Sequence, residues 1–182
     1  MFVLVTGGSK SGKSRIAESL ICEQTGSKLY LATMEPYGQE AQDAINRHRR
    51  MRQGKGFETC ECYTDVGGIV FSDWPDAVLL ECIGNLCANE MFSENGIRQQ
   101  VAEKIIQDIR KLAAKTKLLV AVTNQVGEDG MTYTEETMTY IRVLGEINAR
   151  LAEEADVVIE SVCGIPVYRK SVEYRQRGDG MI

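Results

Sequence analysis

The only histidine of this 182-residue chain, His48, lies within a run of arginines, in the sequence INRHRRMR (residues 45–52). Guanidinium groups oppose the protonation of an imidazole: one arginine ~6 Å away, in an effective dielectric near 20, destabilises the imidazolium by roughly 2.8 kcal/mol. We therefore expect a neutral, nucleophilic imidazole inside a cationic cluster suited to a nucleotide. This combination favours nucleotidyl transfer through a covalent intermediate. The spacing also fits a structural histidine at the end of an apolar helix stripe, and the sequence does not decide between the two.

Residues 7–14, GGSKSGKS, match the pattern G-x-x-x-x-G-K-[ST] in full. They lie between a short apolar strand and the start of a helix, as a phosphate-binding loop requires. Backbone amides of such a loop point toward bound phosphates. Lys13 would contact the β- and γ-phosphates, and the Ser14 hydroxyl would ligate Mg²⁺. The alternative is a glycine-rich turn that fits the pattern by chance, and the strand and helix context disfavours it. We predict nucleotide binding.

Two glutamates at strand ends are candidates for the same site. A phosphate-bound Mg²⁺ often contacts a carboxylate at the end of a neighbouring buried strand, and Glu81 closes the apolar run AVLL. The alternative for Glu81 is a strand-end side chain that faces solvent. Glu61, within FETCECY, is either an exposed edge residue or a ligand contact, and its spacing does not decide between these.

Composition and charge exclude several classes of protein. The chain is 43% hydrophobic and 26% charged with a net charge of −5, which does not favour binding to nucleic acid or to an anionic membrane. We expect no membrane span, because no segment approaches the roughly 20 apolar residues that one needs. The N-terminus is expected to form a strand and not a signal peptide. Six cysteines without a CxxC pair, and one histidine, predict reduced thiols in the cytoplasm and no zinc site.

Hydrophobic periodicity predicts strands alternating with helices. The predicted strands cover residues 2–6, 28–33, 57–63, 77–82, 118–123, 157–162 and 165–169. Helices are predicted over residues 14–24, 39–52 and 97–115, and from a cap at Thr134 to Glu154. The stripe of the second helix contains His48, and that of the last helix contains Met138, Ile141, Leu144, Ile147 and Leu151.

Strands that are apolar throughout and alternate with helices predict an α/β fold with a mostly parallel sheet, covered by helices on both faces. We expect a single P-loop nucleotide-binding domain over residues 1–170. The polar residues 171–182 are expected to form a C-terminal tail.

The sequence resembles the family of bifunctional adenosylcobinamide kinase / adenosylcobinamide-phosphate guanylyltransferases. Segments typical of that family occur in its order: MFVLVTGGSKSGKSRIAE, LYLATMEP, INRHRRMR, FETCE, AVLLECIGNLCANEMF, VAVTNQVGEDG and LGEINARLAEEADVVIESVCGIPVYRK. The match covers residues 1–170. The phosphate loop alone is unspecific, whereas the ordered set is specific.

The resemblance implies a RecA-like P-loop fold, a homotrimer and a role in cobalamin biosynthesis. It implies a kinase that uses a nucleoside triphosphate, ATP or GTP, to phosphorylate adenosylcobinamide. It also implies a guanylyltransferase in which a histidine attacks the α-phosphorus of GTP and passes GMP to adenosylcobinamide phosphate, giving adenosylcobinamide-GDP. The corrinoid, the nucleotides and Mg²⁺ are the ligands it implies.

The resemblance also implies roles for individual residues. His48 would be the guanylylated histidine, with Lys13 catalytic beside it and Ser14 and Glu81 at the metal. The residues that would contact the nucleotide are Gly7, Gly8, Ser9, Lys10, Ser11, Gly12, Lys13, Ser14, Ala32, Thr33, Met34, Arg49, Arg50, Met51, Arg52, Glu61 and Glu81.

The sequence departs from the family pattern at a few positions. Gln125 stands in TNQVG where a glutamate is usual, which puts one of the two activities in doubt if that carboxylate supports catalysis. Gln53 and Phe57 replace a proline and a tryptophan, and Lys10 replaces an arginine, which keeps the charge but loses bidentate geometry. Two alternatives stay open: a P-loop kinase in which His48 is structural, and a non-catalytic nucleotide-binding protein.

Overall fold

A computed structural model describes residues 1–127, 130–131 and 133–171 of the chain. Its centre is a seven-stranded sheet in the order β3-β2-β4-β5-β1-β6-β7. The strands are β1 Phe2–Thr6, β2 Lys28–Ala32, β3 Phe57–Glu61, β4 Ala77–Glu81, β5 Leu118–Val122, β6 Val157–Val162 and β7 Ile165–Lys170. All neighbouring strands are parallel except β6 and β7, which form an antiparallel hairpin. The predicted mostly parallel sheet is confirmed.

Helices cover both faces of the sheet, as the apolar strands require. They are α1 Lys13–Cys22, α2 Gly38–Arg52, α3 Ile83–Phe92, α4 Val101–Lys115 and α5 Glu135–Glu154, with a short 3₁₀ turn at Val66–Gly68. One apolar core joins α3, α4 and α5 to the face of the sheet that carries Leu4 and Leu80. The other core packs α1 against the opposite face, through Ala17 and Ile21. No helix among the described residues has the length and apolar character that a membrane crossing needs.

The alternation of side chains along each strand divides them between these two cores. On β4, Val78 and Leu80 belong to the core under α4, whereas Ala77 and Leu79 belong to the core under α1. Because both faces are covered, every residue of β4 and of β5 is buried. This explains why the two strands, apart from Glu81, are apolar instead of alternating with polar residues.

The structure differs from the predicted helices in three respects: one helix was not predicted, and two predictions are wrong. Helix α3 was not predicted, because its ten residues contain no clear polar face against which a 3.6-residue period stands out. Helix α4 begins at Val101 and not at residue 97, since Gln100 adopts a left-handed conformation with φ of 52° and Ile97 is 46% exposed. Met138, predicted to face inward, is 50% exposed.

Other local predictions are confirmed. Thr134 caps α5, and its hydroxyl accepts a hydrogen bond from the Thr137 amide. Leu144, Ile147 and Leu151 are buried, as predicted for the inner face of this helix. The predicted tail begins at Ser171, and its residues 172–182 lie outside the described part of the chain.

The carboxyl ends of the parallel strands meet at one edge of the sheet. The phosphate loop follows β1, residues 33 and 34 follow β2, and Cys82 follows β4. Ligands of open α/β sheets bind at this edge, because the strand ends and helix N-termini leave a crevice there. The fold therefore brings together segments that are far apart in the sequence.

Candidate active site

The phosphate loop connects β1 to α1, as the motif predicts. Lys13 is the first residue of α1, and its ammonium donates a hydrogen bond to the carbonyl oxygen of Gly8 at 2.6 Å. The side chain is therefore folded back over the loop, toward the place where phosphates bind in such loops.

Lys13 is an almost completely buried cation, with 7% of its surface exposed. Burial lowers the pKa of its ammonium, and the acidic groups of Cys82 and Glu81 partly oppose this effect. Burial also raises the pKa of the Cys82 thiol to about 11. The nearby acidic groups do not fully offset the burial of the Lys13 ammonium. A bound phosphate would place further negative charge beside it.

Glu81 is the central carboxylate of the site. It is 8% exposed, so the alternative of a solvent-facing strand end is wrong. Its Oε1 accepts a hydrogen bond from the Ser14 hydroxyl, and its Oε2 accepts one from the Tyr30 hydroxyl at 3.1 Å. Burial, with the negative charge of Glu81, raises the pKa of the Tyr30 phenol far above its ordinary value, so Tyr30 stays a donor.

His48 lies on α2 and faces the same carboxylate. Its Nδ1 is 3.6 Å from Glu81 Oε2, and its side chain is 14% exposed. Nδ1 is buried and has no hydrogen-bond partner among the described residues. With Nδ1 directed at Glu81, Nε2 is the ring nitrogen left for a substrate.

Two of the arginines around His48 contact other groups. Arg49 donates to Glu61 Oε1 at 2.9 Å, and the guanidinium carbon of buried Arg52 lies 3.3 Å from the centre of the Tyr30 ring. The sequence argument for a neutral imidazole counted the arginines alone. That argument did not include the Glu81 carboxylate, whose Oε2 lies 3.6 Å from Nδ1. The neutral state of His48 stays a prediction.

Glu61 lies at the end of the edge strand β3. Its carboxylate accepts hydrogen bonds from Arg49 and, at 3.0 Å, from the Tyr63 hydroxyl. The side chain is 46% exposed, and it also borders the cavity of the site. Glu61 is therefore an exposed edge residue, and its contact with a ligand stays a prediction.

A cavity of about 700 Å³ extends from the phosphate loop to α2. The predicted residues that line it are Ser9, Lys10, Ser11, Gly12, Lys13, Ser14, Ala32, Met34, His48, Arg49, Met51, Arg52, Glu61 and Glu81. Its size fits a small molecule such as a nucleotide. The structure thus brings the candidate nucleophile and the candidate phosphate loop into one cavity.

Four residues predicted to contact nucleotide do not line this cavity: Gly7, Gly8, Thr33 and Arg50. Thr33 is fully buried, and its hydroxyl exchanges hydrogen bonds with the backbone of Cys82 at 2.7 and 2.8 Å. It therefore ties the end of β2 to the end of β4. Arg50 is exposed on the outer side of α2 and borders a separate depression near Gln53.

Sequence reasoning missed Tyr30, Asn85 and Asn124, which also line the cavity. Asn124 follows the buried strand β5 at the ligand-binding edge, and this position is a signal that could have identified it. Tyr30 lies inside an apolar strand, where the sequence pattern predicts a residue of the hydrophobic core. Its place in the cavity lining and its hydrogen bond to Glu81 show that it belongs to the site.

Gln125 lies beside the phosphate loop but does not line the cavity. Its backbone amide donates to the Gly7 carbonyl at 3.1 Å, and its side-chain amide donates to Glu160 Oε1 at 3.3 Å. A glutamate at this position would place a second carboxylate beside Glu160. The amide of Gln125 is therefore compatible with its neighbour, and it does not remove a group from the cavity.

The oxygen donors of the site fit Mg²⁺. The Ser14 hydroxyl contacts the Glu81 carboxylate directly, and both are ligands that this hard cation prefers. Among the described residues there is no group of three or more histidine, cysteine or acidic side chains placed to hold a metal. A phosphate-bound Mg²⁺ needs only one or two protein ligands, because phosphate oxygens and water complete its shell.

Comparisons with known proteins point to one family. A family model described as cobinamide kinase / cobinamide phosphate guanyltransferase matches residues 3–168. The chain is 35% identical over 180 residues to the bifunctional adenosylcobalamin biosynthesis protein CobU of Salmonella typhimurium, with 92% of this chain and 98% of that protein covered. It is 31% identical to the Escherichia coli protein of the same name, with the same coverage.

Comparison with solved structures supports the fold. A KaiC-like protein from Pyrococcus horikoshii superposes with a TM-score of 0.53 at 14% sequence identity, covering 94% of this chain and 80% of the other. An ATPase of a bacterial type III secretion system gives a TM-score of 0.54 at 11% identity, covering 92% and 56%. At these identities the likeness concerns the fold alone, and it agrees with the expected RecA-like P-loop architecture.

Proposed function

Because the chain belongs to the cobinamide kinase / cobinamide phosphate guanyltransferase family, we propose that it catalyses both reactions in that name. The substrates are adenosylcobinamide, its phosphate and nucleoside triphosphates. The chain acts as one P-loop domain over residues 1–170, which the family match over residues 3–168 supports.

One observation carries the proposal. Glu81 accepts a hydrogen bond from Ser14 of the phosphate loop through one oxygen and lies 3.6 Å from His48 through the other. A kinase without a second activity needs the first contact but has no use for a lone histidine at the second. The arrangement therefore connects a phosphate site to a nucleophile, as guanylyl transfer requires.

In the kinase reaction the phosphate loop holds the triphosphate. The hydroxyl oxygen of the corrinoid side chain forms a bond to the γ-phosphorus, the bond to the nucleoside diphosphate breaks, and the hydroxyl proton is released. Lys13 neutralises charge on the transferred group. Ser14 and Glu81 are the residues that would hold Mg²⁺, which when bound offsets the phosphate charge.

In the guanylyltransferase reaction the Nε2 lone pair of His48 forms a bond to the α-phosphorus of GTP, and the bond to pyrophosphate breaks. The Nδ1 proton then lies on a cationic ring, which the nearby Glu81 carboxylate stabilises. A phosphate oxygen of adenosylcobinamide phosphate next attacks the same phosphorus. The N–P bond breaks, and adenosylcobinamide-GDP and the free imidazole are released.

The proposal extends to a homotrimer in the cytoplasm. What supports assembly is a set of exposed apolar side chains at the β6–β7 edge of the sheet: Val162 at 44%, Ile165 at 65% and Tyr168 at 60%. Contact with another copy would remove these side chains from water. Sedimentation equilibrium of the full chain distinguishes a trimer from a monomer or dimer.

The test of guanylylation uses Mg²⁺ and GTP that carries the label at either the α- or the γ-phosphate. After denaturation we expect label to remain on the protein from α-labelled GTP alone, and to be acid-labile and alkali-stable as a phosphoramidate is. His48→Asn, which keeps a polar side chain of similar size, should retain no label. It should still phosphorylate adenosylcobinamide.

Lys13→Ala is the matched control, since it should lose both activities by weakening phosphate binding. Absence of label on the wild-type protein at millimolar GTP would contradict the guanylyltransferase and leave a kinase with a structural histidine. Absence of turnover of either corrinoid, with GTP still bound, would indicate a non-catalytic nucleotide-binding protein.

A further inference from the structure

The hairpin between β6 and β7 contacts the phosphate loop but contributes no residue to the lining of the cavity. Two donors of the hairpin share one acceptor in the loop: the Ser161 hydroxyl and the Gly164 amide each lie 2.7 Å from the carbonyl oxygen of Ser11. A third hydrogen bond runs from the Arg15 guanidinium, in the first turn of α1, to the Gly164 carbonyl at 3.3 Å. The loop is therefore hydrogen-bonded to a segment about 150 residues later in the chain.

The two backbones are also in direct contact. A Cβ atom on Gly12 would lie 2.9 Å from Gly164 Cα, and one on Gly7 would lie 2.7 Å from the Ser161 carbonyl oxygen. Gly12 and Gly7 have φ of 98° and 144°, in the region that favours glycine. The glycines of the motif therefore allow the hairpin to approach, in addition to leaving room for phosphate.

The shared acceptor fixes the direction of one peptide group. In a planar trans peptide the carbonyl and the following amide point to opposite sides. With the Ser11 carbonyl held by the hairpin, the Gly12 N–H points away from it, and both residues line the cavity. A backbone N–H aimed into such a loop is a donor for a phosphate oxygen.

We infer that Ser161 is a positioning residue for phosphate binding, because its hydroxyl holds the Ser11–Gly12 peptide in the orientation that presents the Gly12 amide to the nucleotide. Ser161 is 2% exposed and does not line the cavity, so it acts through the loop and not by touching the ligand. The motif does not predict this role, since Ser11 occupies one of its variable positions. The inference rests on the proposed function, which assigns the loop to the phosphates.

The test compares Ser161→Ala with the wild type in the binding of GDP and of guanosine, the latter measured by competition. Loss of one neutral hydrogen bond should weaken GDP binding about two- to tenfold. Guanosine binding should stay unchanged, because it has no phosphate for the loop to hold. A role limited to stability would not change the ratio of the two affinities.

Thr116→Val is the matched control. The Thr116 hydroxyl also donates to backbone carbonyls, those of Pro75 and Asp76 at 2.8 Å, but it lies just before β5, at the amino ends of the parallel strands. Its removal should leave the ratio of GDP to guanosine affinity unchanged. If Ser161→Ala and Thr116→Val change the ratio of GDP to guanosine affinity by the same factor, the inference is overturned.

The remaining outcomes separate this inference from the proposed function. A wild-type protein that does not prefer GDP to guanosine contradicts the phosphate site, and the inference falls with it. A clear preference in the wild type whose size Ser161→Ala leaves unchanged overturns the inference alone. If Ser161→Ala does not fold, Ser161→Cys keeps a weaker donor at the same place, and an unchanged preference in that variant overturns the inference.

Discussion

The two oxygens of the Glu81 carboxylate have different partners, and this difference organises the site at the scale of single residues. Oε1 faces Ser14 of the phosphate loop, and Oε2 faces the Tyr30 hydroxyl and His48. Tyr30 is held in turn beneath the guanidinium of Arg52. Glu81 therefore connects the candidate metal ligand Ser14 to the candidate nucleophile His48.

Lys13 is expected to lower stability while it enables function. Its pKa is lowered, chiefly by burial, so folding favours the uncharged amine and the charged form at neutral pH is destabilising. We expect Lys13→Met to raise the melting temperature of the nucleotide-free protein at pH ~7, by about 2–4 °C for a change of about 1 kcal/mol. GDP binding should be lost.

The difference in stability between the wild type and Lys13→Met should depend on pH, and this dependence tests the prediction. In the wild type the penalty decreases as pH rises through the lowered pKa and disappears only above the ordinary value of 10.5, so the two proteins should be closer in stability at pH ~10 than at pH ~7. Calorimetry at both pH values measures this. A variant less stable than the wild type at neutral pH contradicts the prediction.

At the scale of elements, α2 is attached to the rest of the fold mainly at its C-terminal end. Arg52 is its only buried residue, and the helix begins just after Tyr37, which is 91% exposed. Just beyond the helix, Lys55 forms an ion pair with Glu18 of α1 at 2.7 Å. Glu18 is 1% exposed, so this pair anchors the segment that follows the helix carrying His48.

Lys55→Met should destabilise the protein, because it leaves the buried Glu18 carboxylate without its cation. We expect a loss of about 2–3 kcal/mol, below the range for fully buried pairs because the Lys55 side chain is 41% exposed. Urea unfolding measures the change. The double variant Lys55→Met/Glu18→Gln removes the charge as well and should recover much of the stability. A double variant no more stable than Lys55→Met contradicts this account.

At the scale of the whole molecule, ion pairs join elements across the surface. Arg110 and Arg150 of α4 and α5 pair with Glu154 and Glu103, and Lys117 pairs with Asp76 at 2.7 Å. Hydrogen bonds from these cations lower the pKa of all three carboxyl groups. The carboxylates therefore favour the folded state at neutral pH.

These lowered pKa values predict the effect of acid. The stabilisation is complete above the ordinary values of 3.8 for Asp76 and 4.5 for the glutamates, and it is lost as pH falls through the lowered values. The free energy of unfolding in urea should be flat from pH ~7 to ~5.5 and then fall below about 4.5. Arg110→Gln/Arg150→Gln should show a shallower fall. An identical slope in that variant would mean that other groups cause the acid effect.

Much of the fold follows from the sequence alone because the signals are local. Strands β1 and β5 are apolar runs, as is β4 up to Glu81, and the phosphate loop is a contiguous motif between a strand and a helix. Thr134 was predicted as a cap because a cap depends on its own next three residues. Helix α3 escaped prediction because burial on several sides leaves no polar face to reveal its period.

The tertiary structure alone decided which side chains meet. The strand order places β4 between β2 and β5, so Glu81 lies beside Tyr30 and near the phosphate loop. The same order places Ser161 of β6 against Ser11, although the two are 150 residues apart. A local sequence pattern contains information only about residues that are neighbours in the same turn, helix or strand. Contacts between distant segments depend on how the strands assemble, and no stretch of the sequence contains that information by itself.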